Sequence, residues 1–169
     1  MTVDGTTGVD ARTFRDAMAC LAAPVTIVTT VDAEGVPRGF TASAVCSISL
    51  EPPLVMVGVA RRSSCFDALA TADRFVVNVL GSDHHALATR FATSGINRFV
   101  GGELVADARD TPAHLPDALA ALWCRTHDRI DLGDHLVLIG RVGDAAVRPG
   151  PPLVWHQRRY LPTADAVGS

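Results

Sequence analysis

The feature that most constrains this chain is a succession of short β-branched and apolar runs, each cut off by turn-forming residues. VTIVTTV (25–31), LVMVGVA (54–60) and RFVVNVL (74–80) are the plainest of them. Side chains branched at Cβ fit a pleated strand better than a helix. The turn Asp32-Ala-Glu-Gly35 and the break Glu51-Pro52-Pro53 punctuate the series. Residues 36–45, 46–50, 118–129, 135–148 and 153–156 bring the total to about seven or eight strands. LVMVGVA is apolar on both of its faces, which predicts a central position in a barrel or sandwich. Residues 118–124 include good helix formers, but the alternation through Cys124, Arg125, Thr126 and His127 favours a strand, paired with 135–148 around a turn at 131–134.

Helical signals are few. Asp10 is a candidate N-cap, and Phe14, Met18 and Leu21 follow at helical spacing, with Pro24 as the stop. A second short helix is expected after Ser63 and Ser64, and a third over 83–93, where Leu87 and Phe91 share a face. Residues 95–102 and 106–116 read as loops, the latter at the surface. One domain over 10–161 follows, with flexible ends at 1–9 and 162–169. Strands and helices do not alternate through the chain, and there is neither GxGxxG nor GxxxxGK[ST]. A doubly wound parallel sheet and a P-loop are therefore excluded. A mainly β protein, an antiparallel barrel with a few peripheral helices, is the expectation.

The 169 residues are 48% hydrophobic and 20% charged, enough apolar material for a full core. A net charge of −3 gives no electrostatic reason to expect nucleic acid or an anionic membrane as partner. All 15 basic residues are arginine, so chemistry that needs a lysine nucleophile is excluded. The N-terminus lacks the apolar stretch of a signal peptide, and no apolar run approaches the ~20 residues of a membrane span. A cytoplasmic location is expected. Cys20, Cys46, Cys65 and Cys124 are too scattered for a metal clip or redox pair and read as reduced, buried thiols. No metal site is read, because adjacent His84 and His85 cannot share a helical face.

Three segments could carry chemistry. Thr41 and Ser43, and likewise Ser47 and Ser49, lie two apart on strands and so share a face, where hydroxyls either line a groove for a flat polar ligand or simply face solvent. Arg61-Arg62-Ser63-Ser64 stands before a helix, and either binds phosphate or caps the helix with solvated arginines. Gly133-Asp134-His135 puts a histidine at a strand start, where it serves as a proton donor or ligand anchor, or bonds its own turn.

The order of these segments resembles the short-chain flavin reductase family, the reductase components of two-component flavin monooxygenases. The carrying residues are FRDAM (14–18), VTIVTT (25–30), GFTASA (39–44), SISLEPPLVMV (47–57), the loop 61–64, FVVNVL (75–80), FA (91–92), RFVGG (98–102), GDHLVLIGRV (133–142) and PLVWH (152–156). The resemblance implies an FMN-binding split β-barrel of Greek-key type that works as a homodimer. It implies hydride transfer from NADH or NADPH to FMN, or FAD, and diffusion of the reduced flavin to a separate monooxygenase. By the same resemblance Thr41, Ala42 and Ser43 meet the flavin ring edge, and Cys46, Ser47 and Ile48 border the ring and ribityl chain. Arg61, Arg62, Ser63 and Ser64 take the phosphate. Phe99 and Trp155 line the flavin or nicotinamide space, and His135 faces the nicotinamide as the catalytic group. Ala44, Cys46, Trp123, Pro24 and Trp155 depart from the family's usual residues. They keep open an alternative, a split-barrel flavoprotein with tightly bound FMN acting directly on an organic substrate.

Overall fold

A computed structural model describes residues 8–161; the ends expected to be flexible, 1–9 and 162–169, lie outside it apart from residues 8 and 9. In chain order the elements are α1 (Ala11–Ala19), β1 (Ala23–Pro24), β2 (Thr26–Val31), β3 (Pro37–Ala42), β4 (Val45–Ser49), β5 (Leu54–Ala60), α2 (Phe66–Thr71), β6 (Arg74–Val79), a 3-10 turn (Ser82–His84), α3 (His85–Ala92), β7 (Ala120–Leu132), β8 (His135–Val147), β9 (Val154–His156) and β10 (Arg159–Leu161). Seven strands form one antiparallel sheet in the order β3-β2-β6-β7-β8-β5-β4, and β1-β9-β10 form a small second sheet. The large sheet's two edge strands, β3 and β4, are consecutive in sequence and joined only by Ser43 and Ala44. So short a link makes the sheet curl until its two edges come together at that link, where the Gly58 N–H ties it to β5 through the Ala44 carbonyl (2.8 Å). This is the mainly β, barrel-like architecture expected from the sequence.

β2 explains why its run is β-branched throughout. Val28 points into the barrel with Val57, Leu69, Phe75 and Leu138. Its neighbour Ile27 points outward into a second core with Leu87, Phe91, Leu115 and Leu153. Successive strand residues face opposite sides, so a strand between two cores must be apolar on both. Its threonines are buried as well, and their hydroxyls donate to backbone carbonyls: Thr26 to Ala42 (2.8 Å), Thr29 to Ala113 (2.5 Å) and Thr30 to Arg74 (2.8 Å). Within the barrel, Gly140 makes room for an aromatic ring: a Cβ there would lie 2.3 Å from the Phe75 ring.

Several expectations need correction. β1 and β10 were too short to show as periodic runs. α1 begins at the Asp10 cap as expected, but it ends at Ala19, well before Pro24, where the Cys20 N–H turns back to the Ala17 carbonyl (3.1 Å). β5 is buried on one face only; Leu54, Met56 and Ala60 on the other face are half-buried. The segment 106–116 is not wholly a surface loop, because Ala113 and Leu115 are buried. Cys65 and Cys124 are buried thiols, but Cys20 and Cys46 are exposed. Among the described residues no helix is long and apolar enough to cross a membrane.

Asn78, fully buried on β6, fastens the outer core. It donates to the Ile27 carbonyl (3.0 Å) and accepts from the Leu115 N–H (2.8 Å). Asn78→Ala leaves the buried Leu115 N–H without this partner, at about 1–3 kcal/mol, while the Ile27 carbonyl keeps its place in the β2–β6 ladder. Urea unfolding should show a loss of about 1–3 kcal/mol on that basis, and a loss below about 0.5 kcal/mol would contradict this role.

Candidate functional site

Two cavities open along β3. One, of about 190 Å³, is lined by Thr41 and Ser43 from the C-terminal end of β3 and its link, Trp155 and Tyr160 from the small sheet, and Val25 and Ala92. The other, of about 390 Å³, lies against the N-terminal half of β3 and is walled by Ser64, Cys65 and residues 95–99. β3 is held between them by α3 and the loop after it. The Thr41 hydroxyl donates to the Ala88 carbonyl (2.6 Å), leaving its lone pairs to accept. Phe99 stands edge-on to Phe91 (centroids 5.2 Å). Phe99 reaches β3 because residue 39 is glycine; a Cβ there would come within 2.9 Å of Phe91 and 3.2 Å of Phe99.

A third group lies where β5 ends beside the β7–β8 turn. Ala60 pairs with His135 in register, and the Arg61 N–H bonds the Asp134 carbonyl (2.9 Å). His135 Nδ1 lies 2.7 Å from an Asp134 carboxylate oxygen. That contact assigns a proton to Nδ1 and leaves Nε2 to present to a ligand. The His135 hydrogen bond, its charge when protonated, and the nearby Arg62 guanidinium hold the Asp134 carboxyl below the usual aspartate range. Arg61 pairs with Asp131 (2.5 Å) and lies over the Phe66 ring (5.3 Å). Arg62, Ser63 and Ser64 continue from it towards α2, and Ser63 Oγ accepts from the Cys65 N–H (3.2 Å).

The residues singled out in the sequence thus fall into distinct groups. Thr41, Ser43 and Trp155 share one cavity, and Ser64 and Phe99 share the other. Arg61, Arg62 and His135 cluster at the strand ends. Cys46, Ser47 and Ile48 lie exposed on the edge strand β4 and line neither cavity. The Ala42 side chain is in the barrel core and its carbonyl is taken by Thr26, so only its place in the strand is left to act.

Sequence reasoning missed Tyr160 and Arg98. Tyr160, the chain's single tyrosine, stands against Trp155 (4.8 Å) and His85 (4.5 Å). Its uniqueness was the available signal. Arg98 donates to the Gly39 carbonyl (2.8 Å), the Thr93 carbonyl (2.9 Å) and Cys65 Sγ (3.3 Å), joining the 95–99 loop to β3 and α2. It adjoins Phe99 in the RFVGG segment.

The donor set fits a flavin nucleotide. Hydroxyls at 41 and 43 stand beside an aromatic wall, which suits a flat ring with a polar edge. Arginine and serine before α2 suit a phosphate.

Residues 18–164 match the flavin reductase like domain. The chain belongs to that family. Among its relatives is an NADH:riboflavin 5'-phosphate oxidoreductase of Streptomyces pristinaespiralis, 50% identical over 92% of this chain and 92% of its own. Another is an actinorhodin polyketide dimerase of Streptomyces coelicolor, 42% identical over 95% of this chain and 90% of its own. The reductase component of a 4-nitrophenol monooxygenase from Rhodococcus opacus is 35% identical over 89% of this chain and 80% of its own. Among solved structures, an NADH:FAD oxidoreductase of Streptomyces globisporus, in complex with NAD and FAD fragments, superposes with a TM-score of 0.86 at 27% identity, over 96% of this chain and all of that one.

In this flavin reductase domain the Asp134–His135 pair gives a titration test. Its contribution is present above the unfolded aspartate pKa and is lost as pH falls through the lowered native value. In His135→Ala the Asp134 carboxyl, followed by NMR, should titrate at higher pH than in the native protein. An unchanged midpoint would remove the pairing.

Proposed function

We propose that the protein is an NADH:flavin oxidoreductase that reduces FMN and releases it to a partner monooxygenase. The observation that carries this is the joint presence, in a flavin reductase domain, of the Thr41–Ser43 cavity and the Arg62–His135 cluster. The 50% identical relative named an NADH:riboflavin 5'-phosphate oxidoreductase supports both the donor and the flavin. The relative named a monooxygenase reductase component supports delivery to a partner. Four unpaired cysteines accord with a reducing, cytoplasmic setting.

Bound flavin supplies the acceptor for hydride from the nicotinamide; the chain binds, orients and shields. In our reading Thr41 and Ser43 hold the ring edge, with Cys46, Ser47 and Ile48 bordering the ribityl side. Arg62, Ser63 and Ser64 hold the phosphate, Arg61 being largely engaged by Asp131. His135, its Nδ1 fixed by Asp134, offers Nε2 to the nicotinamide carboxamide. Trp155, Tyr160 and Phe99 exclude water.

A homodimer is part of the proposal. α1 has no buried residue, and Phe14, Met18 and Leu21 are all exposed. The outer face of β5 and the exposed Ile48, Leu50, Ile130 and Leu132 add apolar surface that a second copy would cover.

One observation favours the second reading, an enzyme that holds FMN tightly and acts on an organic substrate: the 42% identical relative bears the name of a polyketide dimerase. The two readings part on turnover. With FMN in excess, NADH oxidation followed at 340 nm should run for many turnovers and scale with added FMN. Bound flavin with no such turnover would favour the second reading.

The phosphate assignment predicts a selective loss. Arg62→Ala removes a charge-assisted hydrogen bond of about 1.5–3 kcal/mol, so the Kd for FMN should rise about 10- to 100-fold while that for riboflavin stays within about twofold. Equal losses for both ligands would remove the phosphate role. His135→Ala should raise KM for NADH more than Kd for FMN, and equal losses would count against the nicotinamide-side assignment.

A further inference from the structure

A third cavity, of about 430 Å³, lies on the outer face of β6, β7 and β8, beside the segment that carries Asp107 and Thr111. No residue lines both this cavity and either of those along β3. Its polar wall comes from the sheet register. Arg74 on β6 pairs directly with Arg125 on β7, and Arg125 pairs directly with Arg141 on β8. Directly opposed residues of antiparallel strands leave the sheet on the same face with Cβ atoms about 4.5–5.5 Å apart. Three guanidinium side chains therefore stand in one row, where like charges destabilise the sheet.

Among the described residues no carboxylate lies within ion-pairing distance of the row. None of the ion pairs there includes Arg74, Arg125 or Arg141. Arg74 reaches only the Asp110 carbonyl, at 3.3 Å. Two carboxylates do line the cavity, Asp107 and Asp144, and Asp144 accepts from the Ala145 N–H (2.8 Å). Within this cavity's own lining three cations face two anions, and Asp73 and Asp110 stand beside Arg74 in the adjoining cavity, so Arg125 and Arg141 are the cations left to a ligand. Trp123 lines the same space and stands 5.2 Å from the His114 ring. Trp123 stands two residues before Arg125 on β7 and pairs with Val76, so strand alternation puts the indole on the same face as the arginine row.

We infer that this cavity binds a heteroaromatic phosphate monoester. Each element has a counterpart in such a ligand. Guanidinium forks bind phosphate oxygens in pairs, and the indole offers a face for a flat heterocycle. Carboxylates accept from the amino and hydroxyl groups of a nucleoside. The volume suits a mononucleotide. Two sources share this chemistry, an adenylate and a flavin mononucleotide, and binding of either would relieve the repulsion in the row.

The test is calorimetric titration of the full chain with AMP and, separately, with FMN. Expected for an adenylate is one AMP per chain, weakened at least tenfold by Arg125→Ala, partly restored by Arg125→Lys, and unaffected by Arg62→Ala. Expected for a flavin source is a second equivalent of FMN that Arg125→Ala removes and Arg62→Ala leaves. Arg125 is exposed, so both variants should keep the native circular dichroism. Three outcomes would overturn the inference. One is the absence of both AMP binding and a second FMN equivalent in the native protein. Another is binding that Arg125→Ala leaves unchanged. The third is a shift of sedimentation mass in Arg125→Ala, which would make the row a contact between copies.

Discussion

Burial of β2 on both faces is the constraint from which the rest of the arrangement follows. Each aliphatic side chain fully buried there contributes about 1.5–3 kcal/mol, and Ile27 and Val28 contribute to two different cores. The inner core closes the barrel. The outer core holds α3, residues 113–118 and the small sheet against the barrel wall. Through it the Ala88 carbonyl meets Thr41, Phe91 meets Phe99, and Trp155 and Tyr160 come to face the end of β3. Asn78 and the buried threonines supply the polar fastenings, since a polar group buried there needs a hydrogen-bond partner.

The candidate flavin site is laid over this frame at the edges rather than in the core. Its parts come from the β3–β4 link, the loop into α2, the loop after α3 and the β7–β8 turn. Within one chain they remain separate groups, and much of the surface near them is apolar and open, on β4, on the outer face of β5 and on α1. A second copy covering that surface would enclose β4 residues that otherwise face solvent, which is why the proposed homodimer and the proposed flavin site belong together.

Much of this was legible in the sequence. The β-branched runs, the Asp10 cap, and the long pair β7 and β8 with its turn at Gly133 and Asp134 all stand near their expected positions. The colinear motifs identified the family. What could not be read depends on tertiary contacts. β1 and β10 span two and three residues and exist only by pairing with β9. LVMVGVA looked buried on both sides because its outer face is apolar without being covered. Trp155 was legible from its motif, but its contact with Tyr160 depends on the β9–β10 hairpin. The row Arg74–Arg125–Arg141 is invisible in sequence, because its members are 51 and 16 positions apart and meet only through register.

The most direct test of the proposed flavin site is a crystal structure of the protein with FMN bound. The ring edge should lie against Thr41 and Ser43 and the phosphate against Arg62, Ser63 and Ser64. A flavin whose phosphate lies elsewhere, with those residues left in solvent, would contradict it.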